Sequence, residues 1–173
     1  MENNKVYYTI VNKDKIKVKK NVTSKENIET IQSQYVLYSL LNHFKINKCQ
    51  ISRTNMGKPY FKGLNIHFNY SHSINYIACA ISYYKVGIDI ENIDRDISDA
   101  VIKICQLNSK NKLEEFVKKE AYCKLVGVGI AMIFDNNNFK NINKENKTIV
   151  TKDYICSIYS DCLNPIFEYI DIL

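Results

Sequence analysis

Residues 6–11 form a β-branched and aromatic run closed by the polar Asn12-Lys13-Asp14-Lys15 turn, and alternation resumes over residues 16–18, which predicts an opening hairpin. Apolar residues at Ile28, Ile31, Tyr35, Leu37, Tyr38 and Leu41 then keep helical spacing, so a helix is predicted from an N-cap at Ser24 to about Phe44. A polar connector over residues 53–58, ending in the Gly57-Lys58-Pro59 turn, leads into a short segment through Phe61 that Gly63 breaks. Residues 66–70 read as a strand end, Ser71-His72-Ser73 as a turn and residues 77–83 as a buried strand. Tyr84-Lys85 is expected to reverse the chain into residues 86–91 as a second hairpin. Residues 97–125 are helical in two pieces, broken around 108–111 and stopped at Gly127 and Gly129. Residues 130–134 and 148–160 read as strands, and the polar tract 135–147 between them as a surface loop. Hairpin, helix and strand thus occur twice, as if two halves shared one topology.

Composition narrows this picture. With 173 residues, 46% of them hydrophobic and only 5 Gly and 2 Pro, the chain can bury a sizeable core and is not a disordered segment. No apolar run approaches the roughly 18–20 residues of a membrane span, and the polar start over residues 1–5 has no apolar signal core behind it. The expectation is a cytoplasmic protein without a membrane partner. Six cysteines contain no Cys-x-x-Cys pair and read as reduced, structural thiols. The formal charge of +6 suits an anionic partner: a polyphosphate, an acidic protein or a nucleic acid. Nucleic acid is disfavoured, because the lysines are spread along the chain, densest at Lys17, Lys19 and Lys20, and no aromatic-basic module accompanies them.

Three segments carry candidate chemistry. In Val86-Gly87-Ile88-Asp89-Ile90-Glu91, strand alternation sends Val86, Ile88 and Ile90 to a core and Gly87, Asp89 and Glu91 to the other face. That face is either a solvated strand surface or a hard-metal site of two oxygens beside a glycine that leaves room for a ligand. In Lys118-Lys119-Glu120-Ala121-Tyr122-Cys123-Lys124, Glu120 and Lys124 share a helix face, as a surface ion pair also would. Phe68-Asn69-Tyr70-Ser71-His72-Ser73 offers hydroxyls, an imidazole and backbone N–H groups able to hold phosphate, or else a polar turn with a satisfied histidine.

In this order, and with Gly57-Lys58-Pro59 and Phe116-x-x-Lys119-Glu120-Ala121-x-x-Lys124-x-x-Gly127-x-Gly129, these segments resemble the 4'-phosphopantetheinyl transferase superfamily, of the type that activates surfactin synthetase. The resemblance is strongest over residues 56–129. It implies an α+β pseudodimer of two similar lobes, each a small, mostly antiparallel sheet packed with a long helix. The first lobe would span residues 1–75 and the second, carrying the metal site, residues 76–173. It further implies a monomer that moves the phosphopantetheine arm of coenzyme A, a substrate, onto a serine of an acyl or peptidyl carrier protein, with Mg²⁺ as cofactor and 3',5'-adenosine diphosphate released. By motif position, Asp89, Glu91 and Glu120 would bind Mg²⁺. Lys119 and Lys124 would neutralise phosphate oxygens, and Lys58, Ser71 and His72 would position the nucleotide. Glu120, or a metal-bound water that it holds, is the candidate base. The alternatives are a catalytically weak relative that binds coenzyme A or a carrier without transfer, and a small basic nucleic-acid-binding module. Three features depart from the family pattern: Phe116 stands where a tryptophan is frequent, the first helix has no arginine for the 3'-phosphate, and both the first lobe and the stretch between Glu91 and Glu120 are short for the pseudodimer type.

Overall fold

The computed structural model describes residues 1–17, 25–47, 49–128 and 145–173, with backbone only for residues 25–27. Nine strands and three α-helices are present among the described residues. They are β1 (Lys5–Asn12), α1 (Lys25–His43), β2 (Gln50–Arg53), β3 (Pro59–Lys62), β4 (His67–His72), β5 (Tyr76–Ser82), β6 (Val86–Asn92), α2 (Asp99–Ile104), α3 (Lys112–Val126), β7 (Asn146–Val150), β8 (Tyr154–Ser160) and β9 (Ile166–Tyr169). The α+β class is as expected. Ser24, Val18, Gly129, the 130–134 segment and most of the 135–147 tract lie outside the described residues.

The strands form a first sheet in the order β4-β5-β1-β9, a β2-β3 hairpin and a further sheet in the order β6-β8-β7. Pairing is antiparallel except between β1 and β9, which run parallel with Lys5 opposite Ile166. Alternation gives β1 and β5 two apolar faces. Tyr7, Val11, Ile77, Cys79 and Ile81 pack with Phe68 against Val36, Leu37, Leu40 and Leu41 of α1. Val6, Tyr8, Ala78 and Ala80 pack against Val86, Ile88, Ile90, Cys156 and Ile158 of the β6-β8-β7 sheet. The far face of that sheet, through Ile155 and Tyr159, takes Phe116, Val117, Ala121 and Leu125 of α3. The layers therefore run α1, sheet, sheet, α3, and the helix bearing Glu120 lies directly on the strand bearing Asp89 and Glu91.

Both predicted hairpins are replaced by long-range pairing. Residues 13–15 form a single 3₁₀ turn, and β1 pairs with β5 and β9 rather than with the segment that follows it. Ile16 instead joins the core beneath α1. Likewise β5 and β6 do not hydrogen-bond to one another: β5 already has β1 and β4 on its two edges, so the chain crosses to the neighbouring sheet and stacks face to face. The polar connector at residues 53–58 is the turn of the β2-β3 hairpin, where the Thr54 carbonyl accepts from the Gly57 amide. Ser71 and His72 belong to β4 itself, not to the turn after it.

All six cysteines are free thiols, as their scattered spacing suggested. Among the described residues no helix is long and apolar enough to cross a membrane.

Candidate functional site

Gly87 sets the distance between α3 and β6. A Cβ built there would lie 2.1 Å from the Ala121 carbonyl oxygen and 2.3 Å from the Leu125 amide nitrogen. The space expected to admit a ligand beside Gly87 is therefore filled by the backbone of α3. This close approach brings Glu120 over the strand, so that one ligand oxygen each from Asp89, Glu91 and Glu120 lies within 4.8 Å of the others. The helix is fixed at both ends. Asn111 caps its start by accepting the Glu114 amide proton, and Gly127, at φ +83°, closes its end in the left-handed region.

Asp89 is 1% exposed and its two oxygens are used unequally. Oδ1 accepts from Ser71 Oγ at 2.7 Å and from Lys124 Nζ at 2.6 Å, and Lys124 Nζ also donates to Ser71 Oγ at 2.8 Å. Oδ2 is buried with no hydrogen-bond partner. Burial, then the charge of Asp89, raises Glu120 to about 7, against the pull of Lys124. The same causes raise Glu91 to about 7, with Arg95 and Lys124 opposing. Burial works against the Lys124 ammonium, but Asp89, hydrogen-bonded to it, with Glu120 and Glu91 nearby, holds its pKa above the ordinary lysine value. Three crowded carboxylates, two of them driven toward the neutral form, and one orphaned buried oxygen form a donor set that a hard divalent cation fits.

The other expected residues are placed less uniformly. Lys58 reaches across from the β2-β3 turn and donates to the carbonyls of Lys124 and Leu125, capping α3, while burial lowers its pKa to about 8. It lines two adjoining hollows of about 290 and 380 Å³. Lys124 and Tyr70 line the first of these. His72 points to the opposite side of β4 from Ser71, with Nδ1 3.9 Å from Glu29 Oε2, and burial lowers its pKa despite Glu29. It lines a hollow of about 650 Å³ together with Glu29, Glu91 and Arg95. Lys119 is not brought to the carboxylates. Its ammonium is buried against the carbonyls of Cys105 and Gln106, at 2.8 and 3.0 Å, and pairs with Glu115.

Three further residues complete the site. Arg95 forms an ion pair with Glu91 and lies 4.8 Å from the centre of the Phe116 ring. Its signal was available: it is one of two arginines and stands four residues after Glu91. Asn69 Oδ1 accepts from the Ile88 amide at 3.0 Å and ties β4 to β6. Glu29 bridges His72 and Lys13, 3.1 Å away, from a helix that no local pattern links to either.

Two curated relatives bear out the resemblance read from the motifs. The chain is 36% identical over 113 residues to the 4'-phosphopantetheinyl transferase gsp of Aneurinibacillus migulanus, covering 56% of this chain and 45% of the relative. It is 30% identical over 94 residues to a 4'-phosphopantetheinyl transferase of Bacillus subtilis, covering 46% of this chain and 42% of the relative. The matches thus span less than half the length of these relatives. No family model matches the chain.

Proposed function

We propose that this protein is an enzyme that transfers the 4'-phosphopantetheine group of coenzyme A to a serine of an apo acyl or peptidyl carrier protein. The observation that carries the reading is the meeting of Asp89, Glu91 and Glu120 from two separate elements, with Lys124 ion-paired to Asp89 beside them. These three carboxylates would hold Mg²⁺, and the chemistry a bound Mg²⁺ supplies is neutralisation of charge on the pyrophosphate oxygens. Lys124 adds a cation on the same side, and Lys58, whose ammonium caps α3, lines the adjoining hollows along which the nucleotide would lie. His72 would meet it from the far hollow. Lys119 braces the α2–α3 connection instead of meeting phosphate.

In the reaction, the carrier serine oxygen forms a bond to the β-phosphorus, the bond to the bridging pyrophosphate oxygen breaks, and 3',5'-adenosine diphosphate leaves. Glu120 takes the serine proton. The same reading takes the chain as a monomeric pseudodimer, divided near residues 75 and 76, with β5 and β9 completing the first sheet. Segregation of α1 and α3 onto separate sheets supports it. A cytoplasmic setting accords with six free cysteines.

The test is to incubate the protein with coenzyme A, Mg²⁺ and a panel of apo carriers and to weigh the carriers. A carrier heavier by one phosphopantetheine is expected, and no gain on any of them overturns the proposal. Glu120→Gln keeps the side-chain volume and removes the charge, so it should abolish transfer with the circular dichroism spectrum unchanged. Full activity in that variant would exclude Glu120 as base.

A further inference from the structure

Ser71 sits in a motif whose resemblance assigns it to the nucleotide, yet its hydroxyl is committed elsewhere. A serine hydroxyl has one proton to donate. Here that proton goes to Asp89 Oδ1 at 2.7 Å, and the oxygen accepts from Lys124 Nζ at 2.8 Å. The residue is 6% exposed, so no water competes freely for either bond. Its neighbour His72, on the opposite side of the strand, is the residue of the pair that lines a hollow. We infer that Ser71 is a positioning residue for the carboxylate of Asp89, holding it so that Oδ2 is kept for a divalent cation.

The geometry explains the lopsided use of Asp89. Ser71 from β4 and Lys124 from α3 both bind the same oxygen, which fixes rotation of the carboxylate from two directions. The other oxygen is left buried and unpartnered, a costly arrangement unless a ligand completes it. Outer partners of this kind orient metal ligands and typically govern affinity by about 10–100-fold. This inference rests on the metal reading above, and its test separates the two.

Mn²⁺ binding, followed by electron spin resonance, is compared in wild type and Ser71→Ala, with melting curves to verify folding. Affinity is expected to fall at least about tenfold in Ser71→Ala. The isosteric pair Ser71→Thr and Ser71→Val shares any packing cost, and Thr should retain the affinity that Val loses. Equal Mn²⁺ affinity across folded variants overturns the inference. So does a loss of 3',5'-adenosine diphosphate binding in Ser71→Ala with Mn²⁺ binding intact, since that puts the hydroxyl on the nucleotide. A wild-type protein that binds no Mn²⁺ removes the metal reading itself.

Discussion

At residue 87 the side chain is a single hydrogen, and the backbone of α3 occupies the space where any larger one would go. Gly87→Ala would press a methyl against the Ala121 carbonyl and the Leu125 backbone, neither of which can move without the helix. Overpacking of this kind costs about 1–3 kcal/mol, occasionally more, so the urea midpoint should fall and Mn²⁺ affinity with it as Glu120 is lifted from the strand. Unchanged stability would mean that α3 does not rest on β6 as described. Asp89 makes the complementary point. Its place on the strand was legible from alternation, and its partners were not, because Ser71 and Lys124 lie 18 and 35 residues away in sequence. Lys119 shows the limit of motif reasoning. One position from Glu120 on a helix is about 100° around the axis, so it faces the α2–α3 connection while Glu120 faces the strand.

Helix α3 is the element on which the site depends, and its C-terminal end is held by a residue from the β2-β3 turn. The Lys58 ammonium satisfies the carbonyls of Lys124 and Leu125, which the helix itself leaves open. Lys58→Met keeps the aliphatic stem and removes the donors. It should cost about 1–2 kcal/mol in urea denaturation and loosen α3 at Lys124 before it affects the cap at Asn111. Hydrogen exchange along the helix checks this, and uniform protection in the variant would refute it. Elements with a strong internal period were readable from the chain: α1, the broken α2–α3 pair, β5 and β6 fall close to where pattern placed them, whereas the single strand read over residues 148–160 is broken at 151–153 and folds back as the β7-β8 hairpin. Their edge partners were not. A local turn signal such as Tyr84-Lys85 marks where the chain reverses, but the occupancy of β5's edges decides whether a hairpin closes there. β9, the four residues that follow Pro165, is too short to carry a period at all.

For the molecule as a whole, the crowded carboxylates link stability to pH and to cation concentration. Glu91 and Glu120 bind a proton more tightly folded, at about 7, than at their ordinary 4.5. Protonation therefore favours the folded state. Their contribution is fully present below about 4.5 and is lost as pH rises through about 7. A bound Mg²⁺ would relieve the repulsion only when the carboxylates are ionised. Its addition should raise the melting temperature strongly at pH 8 and little at pH 5, and Glu120→Gln should flatten the metal-free pH dependence. A Mg²⁺ shift of equal size at both pH values would contradict the linkage. The first sheet has a different dependence. Its β1 strand takes β5 on one edge and β9 on the other, so the opening strand is completed by one some 160 residues downstream. During synthesis, the nascent chain carries β1 with an unsealed edge until β9 has emerged. A fragment ending before β9 is therefore expected to expose that edge and self-associate, which light scattering of the purified fragment would check.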